Sequence, residues 1–367
     1  MKNFKFQKEK IKRKKTKQIR IGWVTVGGNA PIRIQSMTKT ETSNISETVS
    51  QIKELEKIGC EIIRVAVPDL NAVNALKEIK KQIGIPLIAD IHFNYKLAIK
   101  ALEQGVDGLR INPGNIGGKN KVMEILKVAK ERQIPIRIGV NSGSLEKKLL
   151  DKYGYASAEA MVESAINHIK LFEDFGFTLI KVSLKASDVW RTVKAYRILS
   201  KKVDYPLHLG LTEAGTFFSG TIKSSIALGN LLMEGIGDTI RVSLTAPPEE
   251  EVRVGWEILK SLGLRERGPI IVSCPTCGRL EVENFIEIVL EIERKLSHIR
   301  NPIHLAIMGC VVNGPGEAKE ADFGVACGKG VGIFFKKGKF YRRVKEEELI
   351  EEFVKEVENL CVERENE

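Results

Sequence analysis

The chain has 367 residues, 43% of them hydrophobic, enough for a sizeable core, and a formal net charge of +11. Residues 1–20 hold ten Lys/Arg against one Glu, so the rest of the chain is nearly neutral at about +2. The basic stretch carries no aromatic interleaving or binding motif, which argues against a nucleic-acid protein. No apolar run reaches the ~18–20 residues of a membrane span, and no apolar stretch follows the basic start as in a secretory signal.

Residues 1–20 are expected to be a basic, solvated and frayed arm. Residues 18–26 read as a short hairpin, with Gly27-Gly28-Asn29 as a turn. Short apolar runs then alternate with amphipathic stretches. The runs are 32–37, 62–67, 87–91, 108–111, 136–140, 179–184, 207–212 and 239–244. Helical patterns lie between them, among them 45–58, 71–83, 95–104, 121–132, 158–175 and 224–234, and a last one at 249–262. Eight such units predict a closed (β/α)8 TIM-type barrel over 21–264. An open doubly wound sheet is the alternative, but no G-x-G-x-x-G follows the first strand.

The strand ends are polar at period two, which aims alternate side chains into the barrel mouth. The chain offers Arg64, then Asp90 and His92, then Arg110 and Asn112, then Arg137 and Asn141. Lys181, Ser183 and Lys185 follow, then His208, Thr212 and Glu213, and finally Arg241, Ser243 and Thr245. A purely structural barrel would place Val, Ile and Leu there. Inward cations on five strands are costly unless an anion joins them. Arg and Lys among Ser, Thr and Asn donors suit a phosphate or diphosphate.

A seven-residue linker, 263–269, leads to a compact α+β domain over 270–367. Its strands are expected at 270–272, 303–307, 323–326, 331–335 and 340–344, with helices at 282–298 and 345–360. Cys274-Pro275-Thr276-Cys277 puts two thiolates on one tight turn, and Cys310 arrives at the start of a second Gly/Pro-rich turn. A zinc ribbon needs a second C-x-x-C, which is missing. A thioredoxin-like motif would leave Cys310 unexplained. Three soft ligands favour an iron–sulfur cluster with one iron open to a fourth ligand. Spacing leaves that ligand open between Cys327 and Glu317. Cys60 and Cys361 fall on helical patterns and read as inert. Six cysteines, three of them in ligand positions, suit a reducing cytoplasm.

In such a barrel the active face is the C-terminal end of the strands, and the eighth helix returns the chain to the other end. Seven residues reach at most about 25 Å, roughly the height of a barrel. Cluster and anion pocket therefore meet most simply in a two-fold homodimer, each cluster domain capping its partner's barrel.

Cys274-Pro275-Thr276-Cys277-Gly278-Arg279 and Gly309-Cys310-Val311-Val312-Asn313-Gly314-Pro315-Gly316-Glu317 resemble the bacterial 4-hydroxy-3-methylbut-2-enyl diphosphate synthases. So do Gln35-Ser36-Met37-Thr38, Ala89-Asp90-Ile91-His92, Arg110-Ile111-Asn112-Pro113-Gly114-Asn115, Leu211-Thr212-Glu213-Ala214-Gly215 and Arg241-Val242-Ser243-Leu244-Thr245. The resemblance implies a [4Fe–4S] cluster on Cys274, Cys277 and Cys310 with Glu317 as fourth ligand. It implies a homodimer, flavodoxin or ferredoxin as electron donor, and 2-C-methyl-erythritol 2,4-cyclodiphosphate as substrate. The implied reaction is a two-electron reductive ring opening with loss of water. Arg64, Arg110, Arg137, Asn141, Lys185, Arg241 and Ser243 would then bind the diphosphate. Asn112, Asp90, Thr212 and Glu213 would position the ring or manage protons.

Overall fold

The computed structural model describes residues 11–310 and 320–365. The chain divides into two compact units, Met1–Arg265 and Glu266–Glu367.

The first unit opens with an antiparallel hairpin, β1 (Ile19–Ile21) and β2 (Val24–Val26). Ile19, Ile21, Val24 and Val26 pack on Ile62 and Ile88, which lie at the N-terminal ends of barrel strands, so the hairpin plugs the underside. The eight barrel strands are β3 (Arg33–Met37), β4 (Ile62–Ala66), β5 (Leu87–Ile91), β6 (Gly108–Ile111), β7 (Ile136–Asn141), β8 (Ile180–Lys185), β9 (His208–Leu209) and β10 (Thr239–Ile240). They run parallel in the order β8-β7-β6-β5-β4-β3-β10-β9, and a bridge between Val182 and Leu207 closes the ring. The last two strands are shorter than the apolar runs that predicted them. The ladder stops at Gly210, although Thr212 N still donates to Ala186 O at 3.2 Å.

Helices α1 (Ile45–Lys57), α2 (Leu70–Gln82), α3 (Tyr95–Glu103) and α4 (Lys119–Glu131) follow the first four strands. Polar caps start three of them: the side chains of Asn44, Asp69 and Asn94 each accept from a first-turn amide. A short helix α5 (Lys147–Tyr153), not anticipated from the sequence, precedes α6 (Ala158–Asp174). Then come α7 (Val189–Ser200), α8 (Phe217–Met233) and α9 (Pro248–Ser261). Helix α8 starts seven residues before the predicted stretch. One apolar core joins the outer strand faces to these helices.

The arm departs from expectation within its described part. Arg13 donates to Ala30 O, Gly237 O and, at 3.1 Å, Asp238 Oδ1. Lys14 Nζ donates to Ser200 O at the end of α7 and to Val203 O. A cation on the orphan carbonyls of a helix C-terminus is favourable twice, by hydrogen bond and by dipole. Residues 13–17 are therefore a clasp under the barrel, not a frayed tail.

The second unit holds a five-stranded sheet: β11 (Pro269–Ser273), β12 (Ile303–Met308), β13 (Phe323–Gly328), β14 (Val331–Lys336) and β15 (Lys339–Lys345). The first three strands are parallel and the last two antiparallel. Helices α10 (Phe285–Lys295) and α11 (Leu349–Glu365) complete its core, in which Phe323, Phe334 and Phe353 stack within 5.1–5.8 Å of one another. Helix α10 begins later than predicted because Asn284 sits in the left-handed region (φ +54°). No helix among the described residues is long and apolar enough to cross a membrane.

Candidate active site

Parallel strands in register present matching residues to one face. Asp90 on β5 pairs with Arg110 on β6, Arg110 with Arg137 on β7, and Arg137 with Lys181 on β8. Four consecutive strands thus carry a row of charges through the barrel. Arg64, Asp90, Arg110, Arg137, Lys181, Ser183, Lys185 and His208 are all buried.

Asp90 gathers two of the cations. Its carboxylate lies 3.0 Å from Arg110 Nη1 and 3.4 Å from Arg64 Nε. Burial alone would push its pKa up. Arg64, the His92 hydrogen bond and Arg110 outweigh that and hold it well below the usual carboxylate range. His92 Nε2 lies 3.0 Å from Arg110 Nη1, with half of its side chain exposed.

A second carboxylate was not anticipated. Glu251, on the first turns of α9, is 2% exposed and points back into the barrel. It accepts from Arg241 Nη2 (3.3 Å), Ser36 Oγ (3.4 Å) and Leu244 N (3.1 Å), and Lys39 Nζ lies 3.7 Å away. The cue was present: Glu251, Gly255 and Ile258 share one face of the helix, so a glutamate stands in core phase.

Among the described residues, then, six interior basic side chains (Arg64, Arg110, Arg137, Lys181, Lys185 and Arg241) stand against two carboxylates toward the mouth, Asp90 and Glu251, and against Asp238 just before β10. Arg137 Nη1 donates to Ser183 Oγ at 2.6 Å, but its Nε and Nη2 are buried without a partner among the described residues. So are Arg110 Nε, Arg241 Nε, Lys181 Nζ, His208 Nε2 and both amide atoms of Gln35. Burial, and then the neighbouring cations, pulls Arg137, Lys181 and Lys185 well below their ordinary ranges. Burial brings Arg64 down to about 9, against the pull of Asp90. Crowded basic groups with unused donors suit an anionic ligand.

Two glycines make room for the cations. A Cβ on Gly139 would lie 2.6 Å from Arg110 Nε, and one on Gly210 would lie 2.4 Å from Arg241 O and 2.6 Å from Lys185 Nζ. At the rim, Thr212, Asn141 and Ser243 are half-buried. Glu213 is exposed and its backbone is left-handed (φ +53°), a strained state for a residue with a side chain. Asn112 spends its side chain on the loops: it accepts from Gly114 N at 3.2 Å and donates to Ser144 Oγ at 3.2 Å.

Cys274, Cys277 and Cys310 lie on the second unit. Strands β11 and β12 are parallel neighbours with Ser273 opposite Ile307, so Cys274 and Cys310 leave the same end of the sheet. Cys274 N donates to Ile307 O (3.3 Å), and Gly309 N donates to Cys274 Sγ (3.2 Å). An amide pointing at sulfur is the kind of contact that tunes a thiolate metal site. A Cβ on Gly309 would lie 2.4 Å from Leu280 Cδ1 and 3.3 Å from that sulfur, so glycine keeps the approach open. Thr276, with φ +60°, turns the loop that carries the exposed Cys277. Among the described residues no three His, Cys, Asp or Glu side chains already converge on one point. Glu317 lies outside the described residues. Cys327 is buried on β13, and burial first, then the charges of Glu346 and Cys274, pushes its thiol up to about 12. Its full burial in the apolar core of this unit suits packing rather than ligation.

The GcpE TIM-barrel domain model matches residues 16–256, and the GcpE protein C-terminal domain model matches residues 270–359. A protein of Thermodesulfovibrio yellowstonii named 4-hydroxy-3-methylbut-2-en-1-yl diphosphate synthase (flavodoxin) is 60% identical over 347 residues, 95% of this chain and 99% of that protein. Proteins of the same name from Caldanaerobacter subterraneus subsp. tengcongensis and Geobacter sulfurreducens are 58% and 57% identical, over 96% and 95% of this chain and 99% of each relative. With both domain models matched in order and relatives this similar over nearly their full length, the chain belongs to the GcpE family.

Proposed function

We infer that the chain catalyses the reductive opening of 2-C-methyl-D-erythritol 2,4-cyclodiphosphate to 4-hydroxy-3-methylbut-2-enyl diphosphate, a step of non-mevalonate isoprenoid synthesis, with flavodoxin as electron donor. The observation that carries this reading is the excess of buried cations with unused nitrogens inside the barrel, which a diphosphate would neutralise. Arg110, Arg137, Lys185 and Arg241, with Asn141 and Ser243, hold the diphosphate. Arg64 and Arg110 are aimed by Asp90. That carboxylate stays ionised, so it orients cations and is a poor proton donor. Thr212 and the strained Glu213 at the rim position the ring and handle the proton.

Cys274, Cys277 and Cys310, with Glu317, would hold a [4Fe–4S] cluster, which supplies electrons and an acidic iron when bound. A homodimer in which the cluster domain of one copy serves the barrel of the other fits the length of the linker. It also fits an exposed apolar stripe on α8, Phe218, Ile222, Ile226 and Met233, which a second copy would cover. Free cysteines, three of them in ligand positions, support a cytoplasmic location.

The deciding experiment is anaerobic consumption of the cyclodiphosphate with a chemical reductant. Turnover by a brown, cluster-loaded protein is expected, with near-complete loss in Cys310→Ser while that variant still binds inorganic diphosphate. A colourless zinc protein without turnover would end this reading.

Gly210→Ala tests the pocket at its tightest point. The new methyl meets a backbone oxygen that no rotamer change relieves. We expect a stability loss of ~1–3 kcal/mol and a kcat/KM lower by roughly 10²-fold as Lys185 is displaced. Steady-state kinetics and thermal unfolding check both. Full activity in this variant would remove Lys185 from the binding set.

A further inference from the structure

Beside Arg137, at the hairpin end of the barrel, stand two basic groups that the reaction as described does not use. Lys181 is 1% exposed and His208 is fully buried. Lys181 Nζ and His208 Nε2 have no hydrogen-bond partner among the described residues, and neither amide atom of Gln35 on β3 has one. His208 Nδ1 lies 2.8 Å from Thr239 Oγ1, which leaves the other ring nitrogen unused. Resting on the proposed function, we propose that Lys181 and His208 form a proton-accepting floor of the diphosphate site, taking up a proton as the anion enters the barrel.

The groups that face this floor are few and nearly all positive. Arg137 on β7 and Arg64 on β4 face Lys181, and Arg137, Lys185, Lys181 and Arg64 face His208. The plugging hairpin and β5 bring Ile19, Ile21 and Ile88 to the small cavity that Lys181 and Arg137 line. The one nearby carboxylate, Asp238, is already committed to Arg13 (3.1 Å), Thr16 Oγ1 (3.0 Å) and Leu207 N (2.9 Å). No carboxylate lies within 4 Å of Lys181 Nζ among the described residues. Burial, reinforced by these cations, disfavours the protonated form of both groups in the free barrel. A diphosphate arriving among Arg110, Arg137 and Lys185 cancels the field that keeps protons off them.

The reaction adds a reason for such a floor. The cyclic substrate is a dianion with no group titrating near neutrality. It takes two electrons and one proton, one C–O bond to the diphosphate breaks, and the neighbouring hydroxyl leaves as water. The opened product carries three negative charges. Groups able to gain a proton at that moment offset the extra charge inside a closed barrel, where it costs most.

The test is calorimetric. The cyclodiphosphate is titrated into the cluster-loaded enzyme, anaerobically and without reductant, at pH 8 in two buffers of different ionisation heat. The ligand takes up no proton itself, so about one proton bound per site is expected from the protein, with affinity falling about tenfold per pH unit where that uptake is complete. Lys181→Met and His208→Gln are expected to bind with reduced uptake and a flatter pH profile. Lys181→Met is also expected to unfold at a higher temperature than the wild type without ligand, because it removes a buried, unpartnered amine. A merely structural lysine predicts the reverse. Binding by the wild type with no proton exchange would overturn the floor and leave the proposed function standing, and this readout does not depend on any variant folding. Unchanged uptake in Lys181→Met would overturn it as well. No binding and no turnover by the wild type would defeat both readings together.

Discussion

Replacing Arg137 by methionine should lower kcat/KM by roughly 10²–10³-fold while leaving the ligand-free barrel as stable as before, or more so. Arg137 is 3% exposed, stands in register between Arg110 and Lys181, and uses one nitrogen on Ser183. Its Nε and Nη2 have no partner among the described residues. In the free enzyme this side chain is a liability, a desolvated cation repelled by Arg64 and Arg110, and burial and repulsion both lower its pKa. A methionine of similar length removes the repulsion and fills the space. With substrate bound the balance reverses. The two unused nitrogens become donors to the diphosphate in a dry site, and their loss falls on the step in which the leaving diphosphate gains charge. Arg137→Lys should sit between the two, because it keeps the charge and loses the fork. Kinetics with a chemical reductant, and thermal unfolding with and without diphosphate, separate the alternatives. If Arg137→Met lost stability and activity in proportion, the arginine would be part of the scaffold and the anion would have to lie elsewhere.

How much of this was legible before the fold was known depends on which physical pattern carried each residue. Arg64, Asp90, Arg110, Arg137 and Lys185 were readable because each breaks a short apolar run at period two, and strand geometry leaves such a side chain only the barrel interior. Their register was not readable. That Asp90 stands beside Arg110, and so aims it, follows from the β5–β6 pairing. Glu251 escaped because the search followed strand ends, whereas its cue lay in the phase of a helix. Thr212 was expected to end a strand, with Glu213 next. The break at Gly210 instead puts Glu213 on a strained turn at the rim. The arm misled for a different reason. A dense run of lysine and arginine reads as solvated because its partners are invisible in sequence: Arg13 and Lys14 bind backbone carbonyls at Ala30, Gly237, Ser200 and Val203. Composition reports side chains, and these acceptors are main-chain groups brought together only by barrel closure.

Asp90→Asn should damage the enzyme in the opposite order, stability first. The carboxylate is 4% exposed and sits 3.0 Å from Arg110 and 3.4 Å from Arg64. An amide of the same shape leaves two buried guanidinium groups facing each other with no counter-charge, a change that costs about 3–5 kcal/mol. Against the ~5–15 kcal/mol that holds a domain folded, the melting temperature should fall by on the order of 10 °C. The pH dependence has a definite sign. The folded pKa of Asp90 is depressed below its ordinary 3.8, so its contribution is fully present above about pH 4 and is lost as pH falls through the folded value. The wild type should therefore lose stability below pH 4 faster than Asp90→Asn, whose deficit narrows as the medium becomes more acid. Diphosphate should rescue the variant more than the wild type, because a bound anion restores the missing negative charge. Unfolding curves between pH 8 and pH 2, with and without ligand, test all three expectations. Parallel curves for the two proteins across that range would mean that Asp90 does not balance Arg64 and Arg110, and the electrostatic account of the pocket would have to be rebuilt around Glu251 alone.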